Sequence, residues 1–318
     1  MERRPTRFPL SEIALVSTRG PRSGLGHFKR ARRLRGALLE KTRLINVREV
    51  AADEGGFNPR ALGDLGLARA VVLDLPPHLW SAELAELINQ LRLNSQLVVG
   101  IDGPMTNLDL LVLPTFHVNI QHLEQARQAG LRPVWGWEYL MIDQRVGLRS
   151  KFKNNQILIL TGGSDFKALG QTLPALLEKH MPLQTEINWV VGPFAKSPHI
   201  PPSQRLKWRI RRDVDDLRPL LHECGFALTV YGVSLFELLH HGVPSVALSP
   251  YGDRDVEHLE ILEQEGLAVA ATSPSQAVYR LRDLMQDESL AKILSNNGAS
   301  RIPSSGTTRV AEEILKLL

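Results

Sequence analysis

The sequence predicts an α/β protein of two domains, each built on a parallel β-sheet covered on both faces by helices. Three observations carry this reading. Short runs of β-branched and leucine residues alternate with longer amphipathic stretches almost throughout. The strand-like runs are apolar without alternation, as strands buried on both faces are. The alternation then restarts after a polar stretch, Lys151-Phe152-Lys153-Asn154-Asn155. A length of 318 residues is enough for two such domains, each with its own core. The boundary is expected near residue 150, giving domains 1–150 and 151–318, with the last helix free to return to the first.

In the first domain, strands are expected over 13–17, 44–48, 69–74, 97–101 and 110–113, and helices over 27–40, 81–93 and 119–129. Within 27–40, Phe28, Ala31, Leu34 and Leu38 share one helical face. In the second, strands are expected over 156–161, 186–191, 205–211, 226–231 and 245–248. Helices are expected over 166–180, 214–223, 235–241, 256–265 and 275–286. The stretch 205–211 alternates strictly, which gives a strand with one basic face. The turn Pro303-Ser304-Ser305-Gly306 precedes a closing helix over 308–317.

Composition excludes several classes. The chain carries 24 glycines and 20 prolines, too few for a collagen-like or disordered chain of this length. No uncharged apolar stretch approaches the roughly 20 residues of a membrane helix, and Ile13-Ala14-Leu15-Val16 is too short for a signal peptide's apolar region. The single cysteine, Cys224, rules out an internal disulfide and a Cys-x-x-Cys zinc site. The expectation is a soluble, cytoplasmic protein. Residues 1–35 hold ten Arg or Lys against two Glu, an excess that calls for an anionic partner. Aromatics at 6 % argue against nucleic acid and leave phosphate groups on a small ligand, or a membrane surface.

Three glycine-rich loops follow predicted strands, where α/β sheets bind ligands. Gly24-Leu25-Gly26-His27 opens a helix whose free amides suit an anion. It lacks the third glycine of a dinucleotide fingerprint, since Lys29 stands there, and it is not a Walker A loop. His27 is either a general base or a surface histidine on a tight turn. Thr161-Gly162-Gly163-Ser164-Asp165 is a second loop of this kind, with Asp165 read as a ligand contact or a helix cap. In the third, Tyr231-Gly232-Val233-Ser234, helix N-terminal amides suit a pyrophosphate. Glu237, one turn on, is placed for ribose hydroxyls or for the helix dipole. Asp213-Val214-Asp215 and Asp253-Arg254-Asp255 match D-x-D; the first is better read as capping. His240-His241 cannot present both rings to one metal, and no metal site is expected.

Taken in order, these loops resemble the GT-B superfamily of nucleotide-sugar enzymes. Within it, the chain is most similar to the UDP-sugar hydrolase of pseudaminic acid biosynthesis and related spore-coat polysaccharide proteins. The motifs are Gly24-x-Gly26-His27-x-x-Arg30, Gly136-Trp137-Glu138-Tyr139, Gly162-Gly163-Ser164-Asp165, Val190-Val191-Gly192-Pro193 and Gly232-x-Ser234-x-x-Glu237 with Gly242-x-Pro244-Ser245. The resemblance implies two Rossmann-like domains facing across a cleft that holds a UDP-sugar. Gly24, Gly26, Arg30, Gly162, Gly163, Ser164, Asp165, Tyr231, Gly232, Val233, Ser234, Glu237, Asp255 and His258 would bind the nucleotide sugar. His27 would be the base for hydrolysis at the anomeric carbon, with UDP leaving and no metal or further cofactor. The alternatives are an inverting glycosyltransferase with a saccharide acceptor at the same donor site, or a non-catalytic nucleotide-sugar-binding relative. Asp74-Leu75-Pro76 stands where the hydrolases carry D-x-Y, and Asp255-Val256-Glu257-His258 where the superfamily usually has a glutamine or asparagine.

Overall fold

A computed structural model describes residues 11–52, 65–104, 107–143, 155–165, 167–202, 205–212, 214–249 and 252–318, with the side chains of 253 and 254 left aside. The chain divides into two compact units. The first comprises residues up to Arg19, His27–Met141 and Ser305–Leu318; the second comprises Gly20–Gly26 and Ile142–Ser304. All of the expected linker but Asn155, the basic residues Arg3, Arg4 and Arg7, and Asp213 of the first D-x-D lie outside the described residues.

The first unit holds strands β1 (Ser11–Thr18), β2 (Ile45–Ala52), β3 (Ala70–Asp74), β4 (Leu97–Ile101), β5 (Leu110–Leu113) and β6 (Arg132–Trp135). They form one sheet in the order β2-β1-β3-β4-β5-β6, every neighbouring pair parallel. The five residues of β3 are all buried, which is why its sequence shows no alternation. On one face lies α1 (Gly26–Lys41), whose Leu34 and Leu38 are fully buried together with Val310 and Ile314 of the closing helix. Burying one such leucine contributes about 1.5–3 kcal/mol. The other face is covered by α2 (Ala82–Leu93) through Leu84, Ile88 and Leu91, and by α3 (Ile120–Gln128) through Leu123 and Ala126. Ser81 caps α2 and Asn119 caps α3, each accepting from a backbone N–H three residues on.

The second unit holds β7 (Gln156–Leu160), β8 (Glu186–Val190), β9 (Lys207–Arg211), β10 (Phe226–Val230), β11 (Ser245–Leu248) and β12 (Val269–Ala271). Again all neighbours run parallel, in the order β12-β11-β10-β7-β8-β9. Its helices are α4 (Leu169–His180), α5 (Arg218–Glu223), α6 (Val233–His240), α7 (Val256–Gln264), α8 (Pro274–Gln286) and α9 (Glu288–Arg301). Pro174 lies inside α4 and cannot donate to the Gly170 carbonyl; the His199 amide donates to it instead, at 2.8 Å. The closing helix, α10 (Gly306–Leu315), packs in the first unit, where Gly306 approaches the Leu140 carbonyl too closely for any side chain.

In both sheets the strand order reverses once, between β1 and β3 and between β7 and β10. Such switch points leave a crevice beyond the carboxyl ends of the two strands. Among the described residues no helix is long and apolar enough to cross a membrane.

Candidate active site

In the first unit, the crevice is occupied by a charge cluster. His27 stands in the first turn of α1, and Arg30 lies three residues on, on the same helical face. Asp74 ends β3 and is only 1 % exposed. The His27 Nδ1 lies 2.6 Å from Asp74 Oδ1. Arg30 grips the same carboxylate in a fork, donating Nε–H to Oδ2 at 3.0 Å and Nη2–H to Oδ1 at 2.6 Å. Its Nη1 also donates to Asp102, the residue after β4, so the guanidinium bridges two strand ends.

These contacts settle which nitrogen of His27 carries the proton. An ionised carboxylate only accepts, so Nδ1 is the nitrogen that donates to Asp74, and Nε2 is the one left for other partners. The Nη2 of Arg30 lies 3.2 Å from the same Nδ1, a donor beside a donor that contributes no bond. Burial alone would raise the Asp74 carboxyl, but the Arg30 charge, with hydrogen bonds from His27 and Arg30, holds it below the usual carboxylate range. Burial would lower the Arg30 guanidinium, and the Asp74 and Asp102 charges more than offset this and raise it. The result is a histidine held in one tautomer by an ionised partner, able to take a proton at Nε2.

The second unit places a pocket of about 190 Å³ at the switch point of its own sheet. Gly24, Gly26, Gly162, Gly163, Ser164, Tyr231, Gly232, Val233 and Ser234 all line it, so the three glycine loops meet there. The approach is backbone to backbone: a Cβ on Gly163 would stand 3.0 Å from Gly24 Cα and 3.1 Å from the Leu25 nitrogen. Gly162 and Gly232 adopt φ of +86° and +143°, open to glycine alone without strain. Gly232 precedes α6 and brings no side chain to cap it; the Leu235 amide donates to the Gly232 carbonyl at 3.0 Å, and Val233 and Ser234 open the helix at the pocket. Lys167 and Arg22 add positive charge to the lining. The Thr161 hydroxyl, buried in the same lining, has no hydrogen-bond partner among the described residues.

The remaining expected residues, Asp165, Glu237, Asp255 and His258, do not line this pocket. Asp165 accepts from the Leu169 and Gly170 amides, both at 2.9 Å, and so caps α4. Glu237 is buried in the second turn of α6. Asp255 is buried and accepts from the Ser249 hydroxyl at 2.9 Å. His258 packs its ring against Tyr231, centroids 5.3 Å apart. His27 and Arg30 belong to the first unit, the glycine loops to the second. Sequence reasoning passed over Asp74 and Asp102 as site residues, although both stand where a strand ends. It also passed over Lys167, and it named Thr161 in the second glycine loop without giving it a role.

No protein-family model and no curated protein matches the chain. Solved structures do. MurG from Acinetobacter baumannii superposes with a TM-score of 0.63 at 14% identity, covering 97% of this chain and 100% of that one. UGT89C1 from Arabidopsis thaliana, solved with UDP-L-rhamnose, gives a TM-score of 0.63 at 14% identity, over 97% and 98% of the two chains. MnaA from S. aureus, solved with UDP, gives 0.56 at 14% identity, over 97% and 98%. The chain therefore has the GT-B fold, two Rossmann-like α/β domains.

Proposed function

We propose that the protein is a glycosyltransferase that takes its sugar from a nucleoside diphosphate, in the first place UDP, and inverts the anomeric carbon. The observation that carries this is the glycine-walled pocket of the second unit. It offers backbone amides, a helix N-terminus, two cations and an unpartnered buried hydroxyl, a set suited to a diphosphate. Structures of the same fold hold UDP and UDP-L-rhamnose, which supports the choice of donor. Glu237 is assigned to the ribose hydroxyls, and Asp255 and His258 to the donor side of the site.

The chemistry then follows from the charges. An acceptor hydroxyl attacks the anomeric carbon, forming the new C–O bond as its proton passes to His27 Nε2. The bond from the anomeric carbon to the diphosphate oxygen breaks, and its electron pair leaves with UDP. A diphosphate is a weak base, so it needs charge stabilisation rather than a protonating acid, and the amides of α6 with Lys167 and Arg22 provide it. The imidazolium formed at His27 is stabilised by Asp74. Arg30 keeps that carboxylate ionised and fixed; it is a positioning residue. This reading needs no metal or further cofactor, and the compartment it assigns is the cytoplasm.

Hydrolysis is the second reading, favoured by the paired Gly-x-Gly-His-x-x-Arg and Gly-Gly-Ser-Asp motifs; water would replace the acceptor. Incubation with a series of UDP-sugars, following UDP release, separates the two. Release that requires an acceptor and is lost in His27→Ala supports transfer. Release without an acceptor supports hydrolysis. Binding of UDP-sugar with no release under either condition, unchanged in His27→Ala, leaves a binding protein and refutes both enzymatic readings.

A further inference from the structure

The most exposed leucines of the first unit are not scattered. Leu44, Leu67 and Leu93 are 75 %, 78 % and 84 % exposed, and each stands a few residues before a strand, β2, β3 and β4 respectively. All six strands of the sheet run parallel, so these positions share its amino end, opposite Asp74 and Asp102 at the carboxyl ends. Register sets them at one depth. Val47, Ile13, Ala70 and Leu97 lie side by side across β2, β1, β3 and β4, and the three leucines come three or four residues before that line. Neighbouring strands are about 4.8 Å apart, so the row spans about 14 Å. Leu39, in the last turn of α1, is exposed at the same end. Other strand starts are closed. Leu108 and Leu131, before β5 and β6, are buried, and so in the second unit are Leu206, Cys224, Val243 and Leu267, before β9 to β12. Leu183, before β8, is the exception there among the described residues.

A contiguous apolar face that the fold leaves open marks an interaction surface. The charges around it narrow the kind of partner. Lys41 pairs with Glu312, Arg92 with Asp109 at 3.1 Å, and Arg48 with Glu12 at 2.8 Å, while Arg69 donates to the Leu318 carbonyl. Arg43, beside the edge strand β2, has no such partner among the described residues. A nucleic acid or an anionic lipid surface is held by cations in excess, and here most are compensated within the chain itself. Leucines this exposed enclose no cavity for a small molecule. The matching partner brings a neutral apolar face of its own. Around a twofold axis the same face of a second copy does so, leucine against leucine as the core and the internally paired charges as the rim.

We propose that the protein forms a twofold dimer through the amino end of its first sheet. Leu44, Leu67 and Leu93 of one copy pack on those of the other, and the His27 clusters lie at the far ends of the two sheets. The association does not depend on what the second unit's pocket binds. Sedimentation velocity of the full-length protein across micromolar concentrations tests it. A species of about twice 35.5 kDa forms as concentration rises. Leu67→Glu and Leu44→Glu, which put carboxylates into the shared apolar core, each weaken association about tenfold or more. Circular dichroism of both variants matches the unmodified protein, since these leucines are exposed in a single copy. Leu183→Glu, at an exposed leucine of the other unit, leaves association unchanged and controls for the added charge. A protein that stays monomeric at every concentration overturns the proposal, whether residues 1–10, which lead into β1 at this end, or another partner covers the leucines. Association undiminished in Leu44→Glu and Leu67→Glu, or weakened as much by Leu183→Glu, overturns it too. So does a monomer that sediments with phosphatidylglycerol vesicles and loses this in Leu67→Glu, which gives the face to lipid.

Discussion

Replacing Arg30 by methionine isolates the cluster that fixes the proposed base. Methionine keeps an unbranched stem of similar reach and removes the charge. Arg30 is 6 % exposed and Asp74 1 %, so the variant strands a carboxylate in a place water does not reach. Asp74 would keep only the His27 contact of its three side-chain contacts, since the other two come from Arg30. Removing one member of a buried ion pair costs about 3–5 kcal/mol, against about 0–1 for an exposed pair. For a unit of this size, about 2–4 °C per kcal/mol gives a fall in Tm of about 6–20 °C. The pH dependence has a definite sign. In the native protein the Asp74 carboxyl is depressed, so its contribution is present above the ordinary carboxylate pKa of about 3.9 and fades as pH falls through the lower folded value. In Arg30→Met, burial instead raises that carboxyl, which takes up a proton as pH falls and relieves the penalty. The stability gap therefore narrows on acidification. Urea unfolding of both proteins from pH 7 to pH 4 measures it. A cost under about 1 kcal/mol at pH 7, or a gap that widens in acid, refutes the reasoning.

Gly192→Ala would place a Cβ 2.3 Å from the Gly162 carbonyl oxygen and 2.4 Å from that of Gly163, forcing the Gly162-Gly163 loop to move. It is expected to lose about 1–3 kcal/mol in urea unfolding and more than tenfold in UDP affinity. Asp165→Ala removes both capping bonds at the start of α4, and a loss of about 0.5–2 kcal/mol with UDP affinity little changed is expected. A large loss of affinity at unchanged stability would mark Asp165 as a ligand contact instead. Sugar transfer is expected to keep its full rate in excess EDTA, and a rate restored only by added divalent cations would contradict the metal-free reading.

Much of the architecture is legible because parallel sheets bury strands on both faces. The sequences of β3, Ala70-Val71-Val72-Leu73-Asp74, and β7, Gln156-Ile157-Leu158-Ile159-Leu160, announce themselves by unbroken apolar runs. What escapes is short or weakly patterned. The edge strand β6 has four residues including Pro133, tolerable where few ladder bonds are asked of it. β12 has three residues. The helix α9 was not expected because Asn296-Asn297-Gly298 reads as a turn. Gly298 is there for packing: a Cβ on it would stand 2.8 Å from the Leu239 carbonyl oxygen of α6. The helix α6 begins two residues earlier than its apolar pattern suggests, since Gly232 supplies the entry turn. At the site, the glycine loops are visible in sequence because the backbone itself carries their chemistry. The cluster of His27, Arg30, Asp74 and Asp102 is not. Arg30 and Asp102 alone lie 72 residues apart, and only sheet register brings the ends of β3 and β4 beside α1.

The diphosphate pocket is reached most directly by titration calorimetry of the purified protein with UDP, and with uridine as the comparison, at two salt concentrations. If main-chain amides, Lys167 and Arg22 hold the phosphates, UDP binds with measurable heat, uridine binds at least tenfold more weakly, and UDP affinity falls as salt rises. An absence of heat with UDP, or uridine binding as tightly as UDP, would contradict the account.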